Sequence, residues 1–492
     1  LAISGSVSVN SINDTATALL NRATVLQSGG VEVRAKNDTD NTAISGAFGL
    51  SFNKSGSTSV GLAGAVTVNI LTNKTYASVD NSTLRDAGDV IVDAYASGGT
   101  LAVAAGIGVS ANGYGVAGSV AYNTVATDTV AKLTGSALTG SSLTVSASDF
   151  TSIFAVAGAI AGGGKAGIGA GFAYNNINGG AISYLSTTDV HLVGALSVTA
   201  TNSSTITAVA AAISVAFAST SKEANIPPNS ADSKAFVVAL AAGVSINVMT
   251  GVTKAYVSDT GTATNPLTAA SVQVKSADTD SKIVAVAGGI AVGYSSVNSL
   301  KAQGNSTAAA AGISVVYNVL DRTLESYIED AQISAGGDVD VIAQSAGEIY
   351  ALAIAGAIAV GKGTNGASAF SGAGSVTFNK LKSRVKARVK GSRVTTSRSG
   401  KVNVSATNDS TITASAGGVA IAVALADGAA DSSLSIAVGA AVAINQISEG
   451  STTAATIEDS VIDASGSVSV TADNGAEIHA FALAGAAAIG KS

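Results

Sequence analysis

The stretch VTVNILTNKTYASVDNSTLRDAGDVIVDA, residues 66–94, contains the pattern that decides the fold. Apolar and polar residues alternate in VTVN and again in VIVDA, and β-branched residues dominate both phrases, so both predict β-strands. An alanine- and glycine-rich run, LAVAAGIGV at 101–109, follows them. One unit of the sequence therefore consists of a phrase ending in asparagine, a phrase ending in alanine and an alanine–glycine run.

This unit recurs along the whole chain. The first phrase ends in asparagine eight times, at spacings of 52–72 residues: Asn10, Asn69, Asn123, Asn175, Asn247, Asn318, Asn379 and Asn445. The alanine of the second phrase follows 24–30 residues later, whereas most length variation comes after the alanine–glycine run. A constant part with one tolerant loop is typical of a solenoid array. The longest of these loops is predicted at Ala218–Lys234, which contains Pro227 and Pro228.

The alanine–glycine run has two interpretations. Alanine favours a helix, but Gly288-Gly289 and Gly417-Gly418 interrupt the runs from Ile283 and Thr411, and valine and isoleucine alternate with small residues. We favour a strand buried on both faces, whose small residues let neighbouring layers approach closely. Each repeat then has roughly four strands, and the fold class is all-β, an elongated repetitive β-solenoid of about eight repeats.

The eight phrase asparagines have two structural explanations. If one repeat forms a fixed number of coils, like residues stack on like at about 4.8 Å, and the asparagines form an internal amide ladder. Alternatively, each asparagine ends a strand and begins a turn. The sequence leaves both open.

Composition excludes several classes of protein. The chain has 492 residues, 47% hydrophobic and only 12% charged, with no cysteine and no tryptophan. Such a chain buries too much apolar surface to be disordered, and it cannot form disulfides or a cysteine metal site. It contains no run of about 20 apolar residues, so we expect no membrane-spanning helix. We interpret residues 1–492 as one continuous array, either a segment of a longer chain or a subunit that joins others head to tail.

The sequence offers little catalytic chemistry. Its two histidines, His191 and His479, lie in different repeats, and it lacks metalloprotease, nucleophile-elbow and phosphate-loop motifs. We therefore expect no enzyme activity and no cofactor. Calcium is the alternative, because Asp38 with Asp40, and Asp278 with Asp280, follow second-phrase strands at similar places. We favour a solvated turn at both sites.

The clearest charge pattern lies in the seventh repeat. Every second residue is basic at Lys380, Lys382, Arg384, Lys386, Arg388 and Lys390. The cations Arg393, Arg398 and Lys401 follow, with no acidic residue among them. Period two places the first six on one face of a strand. Alone, such a stripe indicates a site for a polyanion such as lipopolysaccharide, acidic glycan or nucleic acid.

The neighbouring repeats offer a second explanation. Counted from the phrase asparagine, three acidic residues match three basic ones: Asp321 with Lys382, Glu325 with Lys386 and Glu329 with Lys390. Asp459 of the eighth repeat matches Arg393 in the same way. In-register stacking would make these cross-strand ion pairs, and we favour this charge ladder. Lys380, Arg384 and Arg388 are then predicted to keep no partner and to form the candidate polyanion contact.

These repeats resemble those of the leukotoxin-type filamentous adhesins and of other giant bacterial surface proteins. The shared pattern is AVAGGIAV, then AGAVxVN, then GxVxVxA, and it covers all eight repeats. The resemblance implies an extracellular, cell-surface β-solenoid that provides length, stiffness and adhesion or display. It implies further repeats or neighbouring copies as partners, and host or cell-surface glycans as candidate ligands. We expect no nucleic-acid partner, and no catalytic residue carries over.

Overall fold

The computed structural model describes residues 1–53, 58–221, 233–278, 280–298, 304–427 and 432–491. All regular secondary structure in these residues is β-strand, and the strands pair in parallel within two sheets. Sheet A contains the asparagine phrases, and sheet B contains the alanine phrases and the alanine–glycine runs. The all-β class predicted from the sequence is confirmed. The predicted loop Ala218–Lys234 lies largely outside the described residues.

The strands group by coil, one coil for each repeat of the sequence. Coils 1 to 3 contain β1 (Ala2–Asn21), β2 (Thr24–Val25), β3 (Ser28–Asp38), β4 (Asn41–Ser51), β5 (Val60–Asp80), β6 (Thr83–Ser110), β7 (Tyr114–Thr134) and β8 (Ala137–Gly163). Coils 4 and 5 contain β9 (Ala166–Asn178), β10 (Ala181–Ser186), β11 (Asp189–Leu192), β12 (Ala195–Ser221), β13 (Ser233–Ser258), β14 (Leu267–Ala269), β15 (Ser271–Asp278) and β16 (Lys282–Asn298).

Coils 6 to 8 complete the array. They contain β17 (Gly304–Glu329), β18 (Gln332–Ala335), β19 (Val339–Ser345), β20 (Glu348–Gly363), β21 (Gly366–Lys390), β22 (Arg393–Thr396), β23 (Val402–Asn408), β24 (Thr411–Ala426), β25 (Ser432–Ile447), β26 (Thr452–Glu458), β27 (Val461–Asp463), β28 (Val468–Asn474) and β29 (Glu477–Lys491). Neighbouring coils align residue by residue, so that Asn69 lies opposite Asn123 and Val92 opposite Val145.

Each coil follows the same path. The chain crosses sheet A, turns a corner, returns along sheet B and then enters the next coil. In six coils the asparagine phrase and the segment between it and the corner form one long strand, as in β5, rather than two of the strands expected for each repeat. In coils 4 and 8 they form two strands, β9 with β10 and β25 with β26. The alanine–glycine runs are strands, as in β16, so the strand interpretation is confirmed and the helical alternative is wrong. The expected burial of both faces is wrong, because every second residue points outward and is partly exposed, as Ile290 is.

The corner between the two sheets has a fixed backbone conformation. At this corner, one residue of each coil has a φ between 47° and 60°: Arg22, Asn81, Gly135, Thr187, Asp259, Asp330, Gly391 and Asp459. Glycine, asparagine and aspartate reach this left-handed region more easily than other residues do. The corner residue lies 12 positions after the phrase asparagine in seven coils and 14 positions after it in the eighth. The eighth coil therefore has two additional residues before its corner.

The interior of each coil has two halves. The corner half, between the phrase asparagine and the second-phrase alanine, is filled by leucine, valine and isoleucine, such as Leu143, Val198 and Ile328. The alanine–glycine half, which comprises the remainder of the coil, is filled mainly by alanine. A Cβ on Gly289 would lie 2.3 Å from the Ile313 carbonyl oxygen. The two sheets therefore approach backbone to backbone in this half.

The dimensions follow from strand length and coil number. The longest sheet A strands, β13 and β17, have 26 residues each and therefore span about 85 Å. Eight coils at about 4.8 Å occupy only about 38 Å along the stacking axis. Within the described residues, the chain is a thin slab that is wider across its coils than it is long.

Candidate functional site

The phrase asparagines form a ladder inside the array. Asn69, Asn123, Asn175, Asn247, Asn318 and Asn379 have no exposed surface. Each donates a side-chain N–H to the amide oxygen of the asparagine in the next coil, and the last of them donates to Asn445. All six hydrogen bonds measure 2.7–2.8 Å. Because all point the same way, their dipoles reinforce one another. The asparagines lie within strands, so the ladder explanation agrees with this geometry and the turn explanation does not.

The first asparagine departs from the ladder. Asn10 lies opposite Asn69 in register, but its side-chain amide donates to Asn41 Oδ1 at 2.7 Å and to the Thr42 carbonyl oxygen. As a result, Asn69 Oδ1 has no hydrogen-bond partner among the described residues. The predicted eight-member ladder is therefore a seven-member ladder from Asn69 to Asn445.

Sheet B carries a second polar column in the interior. Its side chains lie two positions after the second-phrase alanine or its equivalent: Asn37, Asp149, Asn202, Asp278, Ser345, Asn408 and Asn474. In four coils a hydroxyl two residues later donates to this side chain, from Thr39, Thr151, Ser204 and Ser410. This polar column marks the boundary between the corner half and the alanine–glycine half.

A buried ion pair lies at this boundary. Arg322 in sheet A is 2% exposed, and its Nε lies 3.2 Å from a carboxylate oxygen of the fully buried Asp278. The guanidinium also donates to the Gly179 and Thr250 carbonyl oxygens and to the Ser281 hydroxyl. A Cβ at Gly251 would lie 2.3 Å from Arg322 Nη1. Glycine in the preceding coil therefore supplies the space that the guanidinium occupies.

Burial sets the ionisation of the carboxyls beside Arg322. Desolvation raises the pKa of Asp149, against hydrogen bonds from Thr127 and Thr151 and the attraction of Arg322. Desolvation also raises the pKa of Asp278, and Arg322 opposes this more strongly than Ser281 does. Arginine keeps its charge inside proteins, so Asp278, which contacts the guanidinium directly, is the counter-ion.

The basic strand β21 has the register expected of the charge ladder. Lys382, Lys386 and Lys390 lie directly opposite Asp321, Glu325 and Glu329 of β17. The shortest ion pairs, however, are diagonal. Arg384 lies 3.1 Å from Asp321 and Arg388 lies 2.9 Å from Glu329, whereas Lys382 and Lys390 are each 3.9 Å from the same two carboxylates. The prediction that Arg384 and Arg388 keep no partner is wrong, because the longer arginine side chain reaches the diagonal carboxylate.

Two other predicted pairs do not form. Glu325 pairs with Lys254 of the preceding coil at 2.9 Å, and no ion pair joins it to Lys386. Arg393 lies opposite Val461, not Asp459, because the two extra residues of the eighth coil shift the count. Among the described residues, Lys380 and Lys386 on sheet A and Arg393 on sheet B have no ion pair. The stripe of free positive charge is therefore discontinuous.

Aromatic side chains lie beside these charges on the outer face of sheet A. Tyr184, Tyr256 and Tyr327 stack with ring centroids 4.7 Å apart, and the Arg388 guanidinium lies 4.6 Å from the Tyr327 ring centroid. Burial raises the pKa of Tyr327 to about 12, against the attraction of Arg388. The ring faces cover one another, so this column stabilises the coil stack and does not offer open faces to a sugar.

The candidate calcium residues are not equivalent in the structure. Ser276, not Ala277, aligns with the second-phrase alanine Ala200, so Asp278 points inward while Asp38 points outward. Asp38 accepts a hydrogen bond from Ser97 at 2.7 Å, which lowers its pKa together with Lys36. Asp40 accepts from the Gly99 amide. The described residues contain no group of three or more histidine, cysteine, aspartate or glutamate side chains placed to hold a metal ion.

A third ladder, of serine hydroxyls, lies at the corner and was not predicted from the sequence. The hydroxyls of Ser82, Ser136 and Ser392 each donate to the carbonyl oxygen two residues before and accept the backbone amide of the preceding coil. The signal was present in the sequence, because serine or threonine stands 13 positions after the phrase asparagine in five repeats. Without the fold, nothing distinguished these residues from an ordinary turn.

The described residues contain no helix long and apolar enough to span a membrane. Comparisons with protein-family models, with curated proteins and with solved structures found no match to this chain.

Proposed function

We propose that the chain is a structural segment of an extracellular surface fibre or giant adhesin, and that it provides stiffness and a display surface. The supporting observation is the unbroken register of the asparagine ladder through seven coils. A shift of the strand register by one residue would turn every asparagine outward. A shift by two residues would place each asparagine opposite an aliphatic or hydroxyl side chain of the next coil. Such a ladder suits a structure in which neighbouring coils must not slide past one another.

The dimensions refine this proposal. About 62 residues form one coil, and each coil adds only about 4.8 Å along the axis. The fold is therefore an inefficient way to gain length. It creates two wide, rigid faces instead, which favours stiffness and display over reach.

Shape is the first test. Electron microscopy of the purified chain should show flat particles about 38 Å by about 85 Å, and oriented samples should diffract at about 4.8 Å along the short dimension. A round, compact particle of this mass would overturn the proposal. Lengthening with concentration would instead support the head-to-tail filament subunit as the alternative.

Surface location needs a separate test. An antibody against the purified chain should bind intact producing cells, and protease added outside should remove the epitope. An epitope that is protected until the cells are lysed would overturn the extracellular part of the proposal and leave the structural part unaffected.

The ladder itself can be tested with adjacent residues. Asn175→Ala leaves the side-chain N–H of Asn123 and the side-chain oxygen Oδ1 of Asn247 without partners, at a cost of at least about 2 kcal/mol. Asn176→Ala, on the outward face of the same strand, is the matched control. Single-molecule pulling should show a lower unfolding force for Asn175→Ala than for Asn176→Ala. Equal forces would mean that the ladder does not stiffen the array.

The polyanion-binding alternative has weaker support. Arg384 and Arg388, two of its three predicted contacts, are engaged with acidic residues of the neighbouring coil. Retention on heparin that disappears at moderate salt, and that Lys386→Ala weakens, would favour this alternative.

A further inference from the structure

The outer face of sheet B changes character along each strand. In the alanine–glycine half, the segments Leu101–Ser110, Ile153–Gly163, Ile206–Phe217 and Ile283–Tyr294 contain no charged residue. Large apolar side chains nevertheless point outward there, with Phe48 57% exposed and Ile160, Ile213 and Ile290 43–46% exposed. We define this surface as the apolar band.

The apolar band has a regular relief. Its middle column consists of glycine and alanine in five successive coils: Gly46, Ala105, Gly158, Ala211 and Gly288. A Cβ placed on Gly46 or Gly158 would meet no atom within 4 Å. This column is therefore an open groove that runs along the stacking axis.

Two apolar ridges border the groove. One ridge consists of Phe48, Ile107, Ile160, Ile213 and Ile290, and the other of Ile44, Val103, Val156, Val209 and Val286. In the sixth coil the pattern is reversed. Ile354 stands in the groove column, and Gly356 stands in the ridge column. The side chain of Ile354, which is 46% exposed, therefore projects outward from the groove column of the same face.

The size of the band argues for a macromolecular occupant. About ten residues per strand and six coils give a face of about 30 Å by about 29 Å, or about 900 Å². Soluble monomers rarely expose more than about 300–600 Å² of contiguous apolar surface. A stable interface needs about 800 Å² on each partner, and the band supplies that area.

We propose that the apolar band binds the same band of a second copy of this chain, face to face. The side chains of each ridge repeat at the coil spacing of about 4.8 Å, and a second copy has this same period, so the two bands stay in phase along the stacking axis. A two-fold axis that lies in the interface plane, parallel to the strands, turns the two faces towards each other and places Ile354 of each copy in the groove over the glycine and alanine column of the other. The packing is a dry zipper between two sheets, as in other stacked β-structures.

The first experiment measures association directly. Sedimentation velocity of the chain from about 1 to about 100 μM should show a dimer. Ala211→Arg places a charge in the groove and should raise the dissociation constant at least about a hundredfold. Thr199→Arg, also outward on β12 but in the corner half, should behave like the unmodified chain. Circular dichroism of both variants checks that they fold.

The second experiment uses the absence of cysteine from the chain. Under mild oxidation, Ala211→Cys should form a disulfide-linked dimer faster than Thr199→Cys, even in a sample where association is weak. Equal crosslinking of the two variants would contradict the proposal.

Other occupants would give different results. A monomer at all concentrations overturns the proposal, and so does association that survives Ala211→Arg, whether it arises from the coil ends or from the outer face of sheet A. Flotation of the monomer with phosphatidylcholine vesicles would assign the band to a lipid surface instead. None of these results depends on whether the chain is extracellular, so they are distinguishable from failure of the proposed function.

Discussion

The two halves of each coil place their large side chains on opposite faces of the sheets. In the corner half, Leu143 and Val198 point inward and separate the sheets, while charged residues occupy the outer face. In the alanine–glycine half, alanine points inward, the backbones nearly touch, and Ile160 and Ile213 point outward. The comparison shows that inward side-chain volume determines sheet separation, and that the large apolar residues of the thin half are left for an external surface.

The largest expected effect lies at the boundary between the halves. Asp278→Asn keeps the size of the side chain but leaves the Arg322 guanidinium buried without its anion. Removing one member of a buried pair costs about 3–5 kcal/mol. Denaturant unfolding at neutral pH measures this loss, and a loss below about 1 kcal/mol would show that Arg322 has another counter-ion.

The equivalent pair one coil further along provides a control for this variant. The position of Arg322 is occupied there by Ser383 of the seventh coil and that of Asp278 by Ser345 of the sixth, and the two hydroxyls are 3.2 Å apart. The double variant Arg322→Ser with Asp278→Ser reproduces that pair one coil earlier. We expect it to be more stable than Asp278→Asn, although it carries one more substitution.

The second prediction compares two adjacent glycines of β16 in the thin half. Gly289 points inward, where a Cβ would lie 2.3 Å and 2.7 Å from the carbonyl oxygens of Ile313 and Ala241. Gly289→Ala should therefore force the sheets apart and cost about 1–3 kcal/mol. Gly288→Ala points outward, with its nearest atom at 4.0 Å, and should be neutral or slightly stabilising. Equal melting temperatures for the two variants would refute the close approach of the sheets.

Much of this architecture could be predicted from the sequence, because the repeat acts as an internal alignment. The spacing of the phrase asparagines predicted the solenoid, and the register of Asp321 with Lys382 followed from counting. Counting positions from the phrase asparagine predicted the wrong partner where a coil has extra residues, as for Arg393. It also could not find Arg322, because this residue interrupts a column that glycine occupies in the preceding coil, and a single departure from a repeat has no periodic signal.

The third prediction concerns the polar column and the pH. Burial raises the pKa of Asp149 above its usual 3.8, so the protonated form fits the folded state better. The stability that Asp149 contributes is present below pH 3.8 and is lost as the pH rises through the folded-state pKa. Asp149→Asn, which copies Asn202 of the next coil, should be more stable than the unmodified chain at neutral pH, and the difference should shrink towards pH 4.

Unfolding midpoints measured from pH 4 to pH 8 test this. A variant that is less stable at every pH would mean that Asp149, and not only Asp278, carries negative charge for Arg322.

The smallest expected effect lies on the charged outer face of the corner half. Arg388 touches Glu329 at 2.9 Å and stacks on Tyr327, and both contacts are partly exposed, so Arg388→Ala should cost no more than about 1 kcal/mol. Lys386→Ala removes a cation of the same strand that has no ion pair, and it should cost nothing measurable. Added salt should reduce the difference in unfolding free energy between the two variants. Salt screens the ion pair of Arg388 with Glu329 but does not weaken the contact of Arg388 with the Tyr327 ring. If Lys386→Ala proves the more costly variant, the direct register and not the diagonal one carries the charge pairing, and the corner half is held together as the sequence first predicted.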